Sequence, residues 1–171
     1  MNPFSWSFRS QFLLGFLACA SLLAYAIYTQ FHDGLEPCPL CIYQRIAFAT
    51  LGLVFLLGAL HGPRGAGGRR FYAVLVALAS LAGIGVAGRH VWVQSLPADV
   101  APSCGPPLDY LNETMGVLGA LKKVLTGTGN CGDVDWTFLG LGMPAWSLAW
   151  FVALAAWGLL AALRRRKSRH R

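Results

Sequence analysis

The chain has 171 residues, of which 56% are hydrophobic and only 12% charged, with a net charge of +7. A soluble domain carries roughly a quarter charged residues, so this balance excludes one and indicates an integral membrane protein. The basic excess is not gathered on a folded polar domain, which argues against nucleic acid as a partner.

Four apolar stretches reach the roughly 20 residues needed to cross hydrocarbon. In chain order they fall near 10–30, 41–61, 71–94 and 143–163, and they end at His32-Asp33-Gly34, His61-Gly62-Pro63, Pro97 and Arg164. The first could be read as a secretory leader, since Ala18-Cys19-Ala20 resembles a cleavage site. The apolar run continues through Leu22 to Tyr28, however, and its removal would leave an odd number of spans; it is read as retained, with Cys19 packed in a helix.

Charge sets the expected orientation. Segments 1–9, 62–70 and 164–171 hold ten of the fourteen basic residues and no acid, whereas all seven acids fall in 31–40 and 95–142. The positive-inside rule places both termini in the cytoplasm and the two acidic connections outside. The tail from Arg164 to Arg171 reads first as a topology anchor, with some attraction for anionic lipid headgroups.

The larger outer connection, 95–142, is the only sizeable polar region and the expected place of partner recognition. Ser103-Cys104-Gly105-Pro106-Pro107 is expected to be extended, because proline restricts its neighbours. Leu108, Leu111, Met115, Leu118, Leu121, Val124 and Leu125 recur at three- and four-residue spacing, which predicts one amphipathic helix over 108–125. Its stripe is predicted to lie in the membrane interface, apolar face down, with packing on the outer ends of the spans as the alternative of similar weight. Gly127 to Gly132 forms a glycine-rich surround for Cys131. That segment and Gly83 to Gly88 both fit G-x-G-x-x-G, but neither sits in a βαβ unit, so dinucleotide binding is not supported.

The chemistry concentrates in Glu36-Pro37-Cys38-Pro39-Leu40-Cys41-Ile42-Tyr43-Gln44-Arg45, at the mouth of the second span. Outward-facing cysteines usually make structural disulfides. A C-x-x-C bridge is a poor staple, since it closes a very short loop. Pro39 suits the first turn of a helix starting near Cys38. Cys41 then falls where the helix dipole and unpaired amides stabilise a thiolate, and a stabilised thiolate is a good leaving group in exchange. Arg45 shares a helix face with both cysteines and lies about 6 Å deeper than Cys41, at 1.5 Å per residue. A snorkelling arginine is the plain alternative. An ionisable group at membrane depth still points to function, here stabilising a Cys41 thiolate and the oxyanion of a reduced quinone. Arg89 and His90, near the outer end of the third span, are candidates to close the same pocket. Cys104 and Cys131 enclose a long loop, which suits a structural bridge and a mobile exchanging one equally well. No cysteine or histidine spacing in the chain suits zinc, so no metal is expected.

Cys38-Pro39-Leu40-Cys41-Ile42-Tyr43-Gln44-Arg45 closely resembles the signature of the bacterial disulfide bond formation protein B (DsbB) family. The four spans, the outer pair Cys104/Cys131 and the run from Asp135 to Trp146 resemble it too, so the likeness covers nearly the whole chain. The resemblance implies an all-α membrane protein: a four-transmembrane-helix bundle in the bacterial inner membrane, with an extended periplasmic loop carrying a short interfacial helix. It implies an enzyme that reoxidises a DsbA-like thioredoxin-fold partner and passes electrons to a membrane quinone; the sequence does not choose between ubiquinone and menaquinone. Cys104 would exchange with the partner, Cys131 would shuttle toward Cys38, and Cys41 would act on quinone. Arg45 and, less directly, His90 would match quinone-site residues. The rivals are a paralogue serving a dedicated partner and a four-span scaffold with structural disulfides; the tetraspanin form of the latter lacks its Cys-Cys-Gly here.

Overall fold

The computed structural model describes residues 7–32, 34, 37–96, 108–126 and 137–164. Cys104, Cys131 and the Pro-rich and Gly-rich flanks expected around them lie outside the described residues. Four long helices make the bundle: α1 (Phe8–His32), α2 (Pro39–His61), α3 (Ala66–Gln94) and α5 (Met143–Leu163), each long and apolar enough to cross a membrane. The shorter α4 (Leu108–Thr126) and a small hairpin of β1 (Thr137–Phe138) and β2 (Leu141–Gly142) lie between α3 and α5. The fold is the expected four-helix membrane bundle. α3 begins at Ala66, ahead of the span read from hydropathy, because Arg69 and Arg70 continue the helix beyond its apolar part.

The bundle helices are apolar all round, as membrane spans are. Large side chains such as Leu13, Leu17, Leu53, Leu57, Leu78 and Leu81 point outward, where lipid is their solvent. What turns inward is rich in aromatic and small residues. Phe12, Phe48, Phe55, Tyr72 and Phe151 form the core together with Leu51, Val76 and Leu154. Helices approach closely where glycine removes a side chain. A Cβ on Gly83 would come 2.3 Å from the Phe151 ring, and one on Gly58 2.4 Å from the Phe12 ring. The closest partners are α3 with α5, α1 with α2, and α2 with α3.

Polar ties gather at the end of the bundle where α2 turns into α3. Gly62 caps α2 in the left-handed region (φ 54°), and its N–H donates to Gly58 O at 2.9 Å. Arg9 donates to Leu60 O at 3.3 Å, and Arg69 donates to Ala161 O at 2.6 Å while lying over the Phe8 ring. Trp157 Nε1 donates to Gln11 O at 2.9 Å, fastening α5 to α1.

The amphipathic helix expected over 108–125 is present as α4, but it is broken. Gly116 has φ 69° and ψ 169°, a conformation essentially reserved for glycine, so the stripe does not continue along one face. Leu111 and Ala120 are buried against Leu40 and Val93, whereas Met115, Val117 and Leu118 are exposed. Part of the stripe therefore packs on the bundle end, and part has no protein cover among the described residues. The hairpin was not foreseen. Its turn puts Leu139 (φ 53°) and Gly140 (φ 77°) both at positive φ, the pattern of a tight two-residue hairpin. Trp146 Nε1 donates to Phe138 O at 3.0 Å and ties the hairpin to the start of α5.

Candidate redox site

Pro39 occupies the first turn of α2, and Cys38 is its N-cap, with extended backbone (φ −64°, ψ 162°). Proline is suited there because its missing N–H would lack a helical partner anyway. The N-cap role, usually taken by a side-chain oxygen, falls to a sulfur: the Cys41 N–H donates to Cys38 Sγ at 3.3 Å. The two sulfurs are in contact at 3.1 Å without an S–S bond between them. The sequence reading directed the first-turn amides to Cys41; the Cys41 amide turns back on Cys38 instead, because the N-cap side chain is the one that reaches it.

His90 of α3 is buried, 2% exposed, and joins this corner from the opposite helix. Its Nε2 lies 3.7 Å from Cys38 Sγ and its Nδ1 2.8 Å from Gln44 Nε2. With the amide nitrogen facing Nδ1, a neutral imidazole carries its proton on Nε2, aimed at the Cys38 sulfur. Sequence reasoning did not single out Gln44. The available signal was an amide inside an apolar helix, where a polar side chain needs a partner.

Arg45 turns to the other flank of α2. It donates through Nη1 to Gln30 Oε1 and through Nη2 to Ala26 O at 2.8 Å, bracing the guanidinium against the last turns of α1. Gln30 too went unremarked in the sequence. Arg89, proposed with His90 as a pocket wall, sits 4.2 Å over the Trp92 ring, an exposed side chain suited to a membrane interface. The structure thus brings Cys38, Cys41 and His90 together, sets Arg45 beside α1, and stacks Arg89 on Trp92.

Leu40 and Val93, on either side of this corner, form a second small core with Leu111 and Ala120 of α4; Cys38, Tyr43 and Val86 pack against it. The cysteine pair therefore lies where α2, α3 and α4 meet.

The family model for disulfide bond formation protein DsbB matches residues 8–161. The chain belongs to the DsbB family. The disulfide bond formation protein B of Xanthomonas campestris pv. campestris (strain 8004) is 67% identical over 99% of this chain and 98% of its own. That of Xanthomonas euvesicatoria pv. vesicatoria is 66% identical over 98% of each, and that of Xylella fastidiosa (strain Temecula1) 56% over 96% and 95%. Membership of the DsbB family and four membrane-length helices make this a multi-pass membrane protein of disulfide bond formation, an oxidoreductase role. A C-x-x-C pair in contact at a helix start is chemistry suited to such a role.

Proposed function

We propose that the protein is a protein-dithiol:quinone oxidoreductase of the bacterial inner membrane, with both termini cytoplasmic and the cysteines periplasmic. It reoxidises a DsbA-like thioredoxin-fold partner and passes the electrons to ubiquinone or menaquinone. The observation that carries this reading is the contact of Cys38 and Cys41 at the mouth of a membrane-length helix that also bears Arg45.

The steps balance as two exchanges and one oxidation. The partner's dithiol reduces the Cys104–Cys131 disulfide through a mixed disulfide on Cys104, and leaves as the disulfide. The Cys104/Cys131 dithiol then reduces the Cys38–Cys41 disulfide: Cys131 attacks Cys38, and Cys41 leaves as a thiolate. Reoxidation of the Cys38/Cys41 dithiol releases two electrons and two protons. A bound quinone supplies the capacity to accept both. No metal or flavin takes part in these steps.

The residues present fit that acceptor. Two of the five guanidinium N–H donors of Arg45 are directed to α1, which fixes the group and leaves others for a quinone carbonyl oxygen and the negative charge that develops on it. His90 holds a proton toward Cys38 and can return it as the pair cycles between thiol and disulfide. The test is optical: purified protein in detergent, a reduced thioredoxin-fold partner, and a quinone whose absorbance reports its reduction. Loss of turnover on replacing either Cys41 or Cys104 supports a relay through both pairs. Absence of turnover with every quinone and thioredoxin-fold donor tried would leave the structural-disulfide scaffold as the better account.

A further inference from the structure

We propose that the reduced Cys38/Cys41 pair and His90 form a site for a thiophilic divalent cation of the zinc class, which arrests the protein in its dithiol state. The two Sγ atoms and an imidazole nitrogen of His90 all lie within 4.8 Å of one another. Two soft thiolates and one imidazole select zinc-like ions over magnesium or calcium, which require oxygen ligands. The ligand set is invisible to linear spacing, because His90 comes from α3 while the cysteines belong to the start of α2.

The geometry needs little adjustment. Tetrahedral bonding at the usual Zn–S and Zn–N lengths separates two sulfurs by about 3.8 Å and a sulfur from a nitrogen by about 3.5 Å. The observed separations are 3.1 Å for Cys38 to Cys41 and 3.7 Å for Cys38 to His90 Nε2. A small cysteine rotation therefore opens the pair to the ion. Gln44 stands where the outer partner of a metal-ligating histidine would stand, its amide 2.8 Å from Nδ1. For Nε2 to ligate, the Nδ1 position takes the proton, and Gln44 rotates its amide to present Oε1 as acceptor. The Cys41 amide adds a hydrogen bond to the Cys38 sulfur that also favours its thiolate form.

Binding changes no oxidation state. Two S–H bonds break, two metal–sulfur bonds form, and two protons leave; the imidazole adds as a neutral ligand and water takes the fourth position. The oxidised pair, with its sulfurs bonded to each other, offers no thiolate and does not bind. The site is therefore selective for the reduced protein. That the bound ion halts turnover rests on the quinone-linked reading above; the site itself does not.

The test uses full-length protein carrying Cys104→Ser and Cys131→Ser, reduced, in detergent without oxygen, quinone or partner. Titration with Co²⁺ should give one bound ion with a near-ultraviolet thiolate-to-cobalt charge-transfer band, displaced by one equivalent of Zn²⁺. Oxidising the pair should remove the band. His90→Gln should weaken binding at least tenfold, and Gln44→Leu by about tenfold, the low end for loss of a metal ligand's outer partner. Far-ultraviolet circular dichroism confirms that each variant is folded, and Gln44→Leu carries the comparison if His90→Gln is not. The proposal is overturned if the band is absent at millimolar Co²⁺, or if affinity is unchanged in the oxidised protein or in Cys38→Ser. Equal affinity in both His90→Gln and Gln44→Leu would also overturn it. A missing band leaves the electron-transfer reading standing, and missing quinone turnover leaves the band, so the two fail separately.

Discussion

Arg45 is clamped to Gln30 across the seam between α1 and α2, with the Ala26 carbonyl as its second acceptor. A long cationic side chain at membrane depth would otherwise sample many rotamers and snorkel outward. Held this way, its remaining donors keep one direction. Gln30→Ala should raise the quinone KM by roughly tenfold, the low end for one lost hydrogen bond to a charged group. Exchange with the protein partner in a single turnover without quinone should not change. An unaltered quinone KM would show that the clamp does nothing for the acceptor.

Replacing Arg45 itself separates charge from shape. Arg45→Ala should raise the quinone KM by more than tenfold, and Arg45→Lys should recover only part of the loss, since an ammonium keeps the charge but not the planar fork. Steady-state quinone reduction at saturating partner reads both. Full recovery by lysine would reduce the role to charge alone.

Cys41→Ser should abolish quinone reduction while leaving the Cys104/Cys131 pair oxidisable by an added small-molecule disulfide. Thiol titration after that treatment, alongside the optical assay, measures both halves. Quinone turnover at the normal rate in this variant would remove Cys41 from the electron path.

Gly116→Ala tests the break in α4. Its φ of 69° with ψ of 169° is open essentially to glycine alone, and forcing another residue there costs on the order of 1–3 kcal/mol. The substitution should loosen α4 from Leu40 and Val93. Faster hydrogen exchange in 108–126 should follow, with little change in the melting temperature of the four-helix bundle. Unchanged exchange would mean that the helix tolerates the strain.

Gly83→Val tests the close approach of α3 and α5. Its Cβ would stand 2.3 Å from the Phe151 ring, so the cost should reach about 1–3 kcal/mol, typical of overpacking. A lowered thermal midpoint in detergent is the expected reading.

The bundle was legible in the sequence because membrane crossing leaves a plain signature: four apolar runs and a charge asymmetry that agrees across every connection. The meeting of Cys38 and Cys41 was legible because a C-x-x-C at a helix start is a local pattern, whereas Arg45, expected on the face of the cysteines, braces against α1 instead. Gln30 and Gln44 were not legible, since each acquires meaning only from a partner on another helix, Arg45 on α2 or His90 on α3. The break at Gly116 was hidden for a related reason. Three- and four-residue periodicity runs straight through it, and one glycine in an apolar stripe does not announce a positive φ. The hairpin at Leu139-Gly140 is two residues per strand, too short for alternation to register.

The rings seated on glycines also bear on what can move. Phe151 lies over Gly83, Phe12 over Gly58, and Phe55 against both Gly15 and Gly158, so each long helix is indexed to a neighbour by an aromatic ring set in a notch. Sliding one helix along another by even part of a turn would drive a ring into backbone. Cys41 and Arg45 ride on one of these indexed helices, and Gln30 and His90 on two others. The notches therefore fix the spacing of these four side chains in the structure, and on the proposed redox cycle thiol and disulfide would interconvert by rotation about side-chain bonds rather than by sliding of helices.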